Sequence, residues 1–190
     1  MYFEITYPEL LIFISFVWII IRIVFGIKNK KVIIKRELLL LLVYVCLIVI
    51  ARFVYFPLGL VNGHIGVLRF DSDRIIPPWF NLVPVIHMFD KYKGWLINII
   101  GNIAMFIPVG IVWPVCFKKI DTFLKAVLSG ACLTLFIEIT QLLFYDRCSD
   151  IDDFMMNITG AAIGAGIFFI IKAIIKHKNQ KKSGSVDIPT

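Results

Sequence analysis

Glu138 lies inside the apolar stretch Ala126 to Tyr145, and Gln141 follows three residues later on the same helical face. An ionisable group within a membrane-spanning helix is expensive, so a functional role is its first hypothesis. At 1.5 Å per residue, Glu138 sits on the order of 10 Å inside the end of its helix. Asn98 and Asn102 lie four apart at a similar depth in another apolar stretch, about one and two turns in from Trp95. A third stretch opens with Asp153 and carries Asn157 one turn deeper. Just before it runs Arg147-Cys-Ser-Asp150-Ile-Asp152-Asp153, the most unusual polar segment of the chain. Carboxylates at a helix start cap free N–H groups and offset the helix dipole, which accounts for one of the three aspartates.

These groups predict a polar pocket in which Glu138 pairs with Arg52, or with the amides of Asn102 and Asn157. A plainer reading stands beside it: polar side chains in membranes commonly hydrogen-bond helices to one another. The three aspartates also suggest a divalent-cation site, but they lack the glycine turn and distal glutamate of an EF-hand loop, and no metal is assigned. No Walker loop, His-Glu-x-x-His pair or Gly-x-Ser-x-Gly elbow is present, so no catalytic residue and no cofactor is assigned. His64, His87 and His177 have no acidic or cysteine partner at ligand spacing.

The elements that must hold these residues are membrane helices. With 59% apolar and 17% charged residues among 190, the chain has more apolar surface than a soluble domain of its size could bury. A membrane crossing needs about 20 apolar residues. Five runs qualify: Leu10 to Ile27, Leu38 to Leu60, Trp95 to Phe117, Ala126 to Tyr145 and Phe154 to Ile171. The fold class expected is therefore an all-α polytopic bundle forming a single membrane domain. The residues before the first run carry Glu4 and Glu9 and no Lys or Arg, so that run reads as an anchor rather than a removable signal.

Basic residues set the expected orientation, because cytoplasmic segments keep the excess of Lys and Arg. Thirteen fall in the 28–36 loop, in the 118–125 loop and from Lys172 onward, against Arg69, Arg74, Lys91, Lys93 and Arg147 on the other side. The N-terminus is thus expected outside and the C-terminus in the cytoplasm, with the acidic groups facing out. The net charge of +7 is dispersed in clusters between apolar runs, which does not suit a nucleic-acid face. The 61–94 segment is rich in Gly and Pro, too short for a core of its own, and expected to hold a strand or turn around Ile75 to Phe80. Residues 177–190 read as a disordered tail. Cys46, Cys116, Cys132 and Cys148 have no metal spacing and read as small packing residues. Gly160, Ala161, Gly164 and Ala165 form a face that permits close helix contact, and Pro108 should loosen the third helix.

In order along the chain stand Asn81-Leu-Val-Pro84, Asn98, Asn102-Ile-Ala-Met-Phe-Ile-Pro-Val-Gly110, Glu138-Ile-Thr-Gln141, Arg147 to Asp153, Asn157 and Gly160. This combination resembles the VanZ-like family of bacterial membrane proteins over about residues 81–166. The chain departs from that pattern in Trp113, Pro114 and the longer segment before the third helix. The resemblance implies a Gram-positive cell-envelope protein, with a founding member linked to reduced susceptibility to glycopeptide antibiotics, teicoplanin more than vancomycin. On that basis the ligand-binding residues expected are Asn98, Asn102, Glu138, Gln141, Arg147, Asp150, Asp153 and Asn157. A membrane lipid, a lipid-linked precursor or the glycopeptide itself would be the partner. The alternatives are a membrane enzyme acting on a lipid or peptidoglycan precursor, and a proton-coupled transporter.

Overall fold

The computed structural model of the chain describes residues 2–30, 33–56, 59–61, 63–72, 80–84, 95–145 and 147–184. Five helices in it are long and apolar enough to cross a membrane: α1 (Tyr7–Asn29), α2 (Ile34–Tyr55), α3 (Trp95–Cys116), α4 (Phe123–Gln141) and α5 (Ile151–Gly184). They alternate in direction. Among the described residues, one end of the bundle gathers the short strands and most of the acidic residues, and the other carries the Lys-rich turns together with Glu37 and Asp121. Large apolar side chains such as Phe13, Ile34, Leu42, Ile97, Phe136 and Ile170 project outward from every helix. Such a belt suits lipid, not water.

Local sequence chemistry sets the helix ends. Glu9 accepts hydrogen bonds from the Thr6 backbone N–H (2.7 Å) and hydroxyl (2.8 Å), which pins the first turn of α1. Lys30, in the left-handed region at φ 49°, closes α1 with its N–H on the Ile27 carbonyl. Helix α2 starts earlier than the apolar run suggests because Glu37 is drawn in by Arg22 of α1, bonding it at 2.8 and 2.5 Å. It also stops at Tyr55 rather than Leu60. Phe56 precedes Pro57 and is extended, as a residue before proline prefers. Thr122 caps α4 by accepting from the Lys125 N–H, and the Lys125 ammonium holds the exposed Asp121 carboxyl below its usual range. Helix α4 ends at Gln141, short of Tyr145, where the chain turns toward Ser149.

Helix α5 begins at Ile151 and runs through Gly184, well beyond Ile171. Part of the segment expected to be a disordered tail is therefore helical, since Lys and Gln are good helix formers once a helix is running. Residues 185–190 lie outside the described residues.

At the acidic end β1 (Tyr2–Ile5) pairs antiparallel with β4 (Leu68–Asp71), and β2 (Leu60–Val61) forms a hairpin with β3 (His64–Ile65). The hairpin turn uses Gly63 at φ 80°, where a side chain would be strained. Strand β5 (Phe80–Asn81) lies parallel to β6 (Ser149–Asp150) and so ties the long α2–α3 connection to the start of α5. The expected strand or turn around Ile75 to Phe80 falls mostly on residues 73–79, outside the described residues.

The core is small. Ile50 and Val54 of α2, Phe106 and Val109 of α3, Ile137 of α4 and Ala161 of α5 form its centre. Helices α3 and α5 meet backbone to backbone: a Cβ on Gly160 would stand 2.1 Å from the Ile103 carbonyl oxygen, one on Gly164 2.1 Å from that of Ile107, and one on Gly110 2.1 Å from that of Ala161. Helix α3 runs through Pro108 and Pro114 as one helix. Cys46 is buried as expected, whereas Cys132 and Cys148 are exposed. Helix α1 buries no residue and is held to α2 by the Arg22–Glu37 pair and by Ser15 and Tyr44, whose hydroxyls meet at 2.7 Å.

The glycine contacts give a paired test. Gly164→Leu should fold poorly, losing more than about 2 kcal/mol, because rigid backbone rather than a movable side chain occupies the space. Gly166→Leu, where an added Cβ meets nothing within 4 Å, should be neutral or slightly stabilising. Thermal melting of the two variants purified in detergent reads the difference.

Candidate functional site

The contact between α3 and α5 brings the first polar group together. Both Asn98 and Asn102 donate through Nδ2 to Asp153 Oδ1, at 3.3 and 2.8 Å, and Asn102 Nδ2 also donates to Asn98 Oδ1 at 3.2 Å. Asn102 is buried, one turn deeper than Asn98, which lies at the protein surface. Both bonds to Asp153 engage the same one of its two oxygens. Oδ2 accepts no hydrogen bond among the described residues.

The second group joins α4 to the strand ahead of α5. Glu138, 6% exposed, accepts through Oε2 from the Ser149 hydroxyl at 3.1 Å and from the Asp150 N–H at 3.0 Å. Its partners are therefore neither Arg52 nor the amides of Asn102 and Asn157, as the sequence suggests. The Arg52 guanidinium lies over the rings of Tyr7 and Phe53, at 5.9 and 5.6 Å. Asn102 is taken by Asp153, and Asn157 donates to Thr134 Oγ1 at 2.9 Å, deeper between α4 and α5. Depth was legible from the sequence, but pairing depends on helix rotation, which no spacing rule supplies.

Asp150 has the structural task foreseen for one aspartate. Its Oδ1 accepts from the Asp152 N–H at 2.9 Å, capping α5, and from Asn81 Nδ2 at 3.3 Å. Arg147 Nε donates to the Tyr55 carbonyl at 3.1 Å. Gln141 reaches the other way, to the Val54 carbonyl at 3.4 Å, and the Tyr55 hydroxyl bonds Thr140. These contacts bind the end of α2 to α4. The eight expected residues thus divide into an Asp153–Asn98–Asn102 group, a Glu138–Asp150 group extended downward by Asn157, and an α2-facing pair of Gln141 and Arg147.

Two buried acceptors stand out: Gln141 Oε1 and Asn157 Oδ1 have no hydrogen-bond partner among the described residues, although their side chains are only 5% and 2% exposed. An unsatisfied buried amide oxygen costs about 1–3 kcal/mol, and such groups in folded proteins call for an explanation. Together with the spare oxygens of Asp153 and Glu138, they make the acidic end rich in acceptors. Among the described residues, no three His, Cys, Asp or Glu side chains are placed to hold a metal ion.

Ser149 escaped the sequence reading. It lies inside the Arg147–Asp153 segment but carries no signal of its own, and β6, paired in parallel with β5, holds its hydroxyl against Glu138. Adjacent Cys148 is a poor nucleophile, because desolvation by neighbouring protein and the Asp150 charge push its thiol above the ordinary range. A variant in which Cys148 is the sole cysteine should therefore react with maleimide more slowly at pH 8 than a free thiol. Asp150→Asn keeps the cap and removes the charge, so it should speed the reaction; equal rates would mean that the acidic field does not reach Cys148.

Comparison with known proteins agrees with the residues that form these groups. The VanZ/LLP1 family model matches residues 38–172, which takes in α2, α3, α4, the polar groups and most of α5. Protein VanZ of Enterococcus faecium is 35% identical to this chain over 91 residues, covering 48% of this chain and 54% of that protein. The chain thus spans about half the length of that curated relative. No solved structure matches it. With most of its length, and every residue of the polar site except the N-terminal contacts of Arg52, inside the matched region, the chain belongs to the VanZ/LLP1 family.

Proposed function

We propose that this protein is a cell-envelope component of the cytoplasmic membrane of a Gram-positive bacterium that lowers susceptibility to glycopeptide antibiotics of the teicoplanin kind. In this reading it works by binding rather than by catalysis, and its acidic end faces outward, as the positive-inside rule expects. The observation that carries the reading is the set of half-satisfied acceptors at the acidic end, with Glu138 and Asp153 each bonded through one carboxylate oxygen and the buried Gln141 and Asn157 each keeping an unmatched amide oxygen. If helix cohesion were the whole purpose, these groups would be fully paired, because unmet acceptors weaken a membrane bundle. A ligand with hydrogen-bond donors would complete them. A lipid-anchored ligand could reach the site from the bilayer, and teicoplanin carries an acyl chain.

A second reading has its own observation. The Ser149 hydroxyl lies 3.1 Å from the Glu138 carboxylate, within reach for a base to take a proton from a nucleophile. That arrangement favours the alternative of a membrane enzyme acting on a lipid or peptidoglycan precursor.

The test is the inhibitory concentration of teicoplanin and of vancomycin for a susceptible host expressing wild type, Glu138→Gln or Ser149→Ala at equal membrane levels. Binding predicts that wild type raises the teicoplanin value selectively. Glu138→Gln should lose most of that effect, about tenfold in apparent affinity for a charge-assisted hydrogen bond, and Ser149→Ala should keep it. Loss in both variants, with altered lipid products in extracts, favours the enzyme. An unchanged teicoplanin value for wild type overturns the resistance reading.

A further inference from the structure

A groove runs down the membrane face between α2 and α3 and changes character along its length. Its upper section, about 220 Å³, is bordered by Phe53 of α2 and by Asn98, Gly101 and Asn102 of α3. Its lower section, about 310 Å³, lies between Val45 and Val49 of α2 and Pro108 of α3, and is almost wholly apolar. Ala104 and Met105 border both sections, so the two adjoin along α3. From Asn98 to Pro108 the helix rises about 15 Å, roughly half of a 30 Å hydrocarbon core and hence the depth of one leaflet. A polar mouth at the membrane end and an apolar trough one leaflet deep is the shape of a single lipid.

The chemistry of the mouth narrows the headgroup. Asn102 spends its amide N–H groups on Asn98 Oδ1 and Asp153 Oδ1, and Asn98 gives one of its own to Asp153. What remains for a ligand is mainly acceptors, among them Asn102 Oδ1, which accepts nothing among the described residues. Behind them stands Asp153, with the charges of Asp150 and Asp152 close enough to act on it. An anionic phosphate placed alone at this mouth would meet acceptors and like charge, whereas an ammonium supplies both the donors and the opposite charge. Gly101 keeps the upper section open, since a Cβ there would meet nothing within 4 Å.

We propose that the α2–α3 groove binds one membrane lipid whose headgroup carries a primary ammonium, with the ammonium at Asn98 and Asn102, drawn by the Asp153 charge behind them, and an acyl chain along Ala104, Met105 and Pro108. This deepens the binding reading of the acidic end by naming the class of lipid, and it rests on that reading only for the idea that the site takes a ligand. The occupant is chosen by the adjoining of the two sections and by charge.

The test uses the full chain reconstituted in nanodiscs containing equal parts of ethanolamine, glycerol and choline phospholipid, then released into the gas phase for native mass spectrometry. The expected result is one retained ethanolamine lipid, in clear excess over the glycerol and choline lipids. Gly101→Leu and Ala104→Leu fill the groove from its exposed side, and each should cut retention about tenfold. Asp153→Asn should abolish the preference for the ethanolamine lipid. Gel-filtration profiles confirm that each variant folds, and Gly101→Leu replaces a helix glycine with a better helix former. Retention of all three lipids alike, or retention unaffected by filling the groove, overturns the proposal. Because no antibiotic enters the assay, its failure leaves the inhibitory concentrations free to support or defeat the resistance reading, and the converse holds.

Discussion

The backbone-to-backbone contact of α3 with α5 is the constraint on which the rest of this protein depends. Lipid tails are as apolar as leucine, so membrane helices gain little by hiding apolar surface from their surroundings and must associate through close packing and polar contacts. Gly110, Gly160 and Gly164 supply the close packing by letting carbonyl oxygens occupy the space a side chain would need. That closeness sets Asn98 and Asn102 within hydrogen-bond reach of Asp153. A separation larger by one methyl group would leave both amides and the carboxylate apart, inside a medium that offers no substitute partner. The small residues of α5 and the polar residues above them are therefore one device, in which packing lower in the bundle fixes the geometry of the site.

The polar groups in turn differ in how fully they are satisfied. Thr122, Glu9 and Asp150 complete the helix ends on which they act, and the Arg22–Glu37 pair is doubly bonded. Those contacts have the completeness expected of structural interactions. Glu138, Asp153, Gln141 and Asn157 are bonded on one side only, and for the buried amides of Gln141 and Asn157 an unmet acceptor is most costly. The incomplete groups are confined to the acidic half of the bundle, and this segregation separates a site from a scaffold more sharply than the presence of polar residues does.

The sequence carried the architecture well, because membrane spans are a matter of length and composition. Five apolar runs became five helices, and the small-residue face of α5 packs as its spacing implies. The ends were less legible. Charged residues such as Arg36 and Glu37 read as loop, yet Glu37 belongs to α2 through a partner 15 positions away. The Lys-rich end of α5 looked like a tail, because composition alone does not register that a helix already nucleated continues through polar residues. For the site, depth could be counted along each helix but rotation could not. Asp153 was therefore foreseen beside the amides in general terms, while the Glu138 to Arg52 pairing was not realised. Ser149 was invisible, since its position depends on β5 and β6 meeting across 69 residues of chain.

Helix α1 is the least embedded of the five helices. It buries no residue, lies outside the matched family region, and touches α2 through a salt bridge near one end and a hydroxyl pair nearer the other. Between α1, α2 and α4 lies a cleft of about 260 Å³ walled by Phe13, Trp18, Leu47, Tyr55, Leu133 and Ile137, with almost no polar surface. The α2–α3 groove differs at one point: it ends on the amides of Asn98 and Asn102, with Asp153 behind them. An apolar cleft alone accepts any acyl chain that the bilayer presents, so it cannot select. Selection requires that a polar mouth and an apolar trough share one wall, and in this protein that wall is the stretch of α3 from Asn98 to Pro108, held in place from behind by α5.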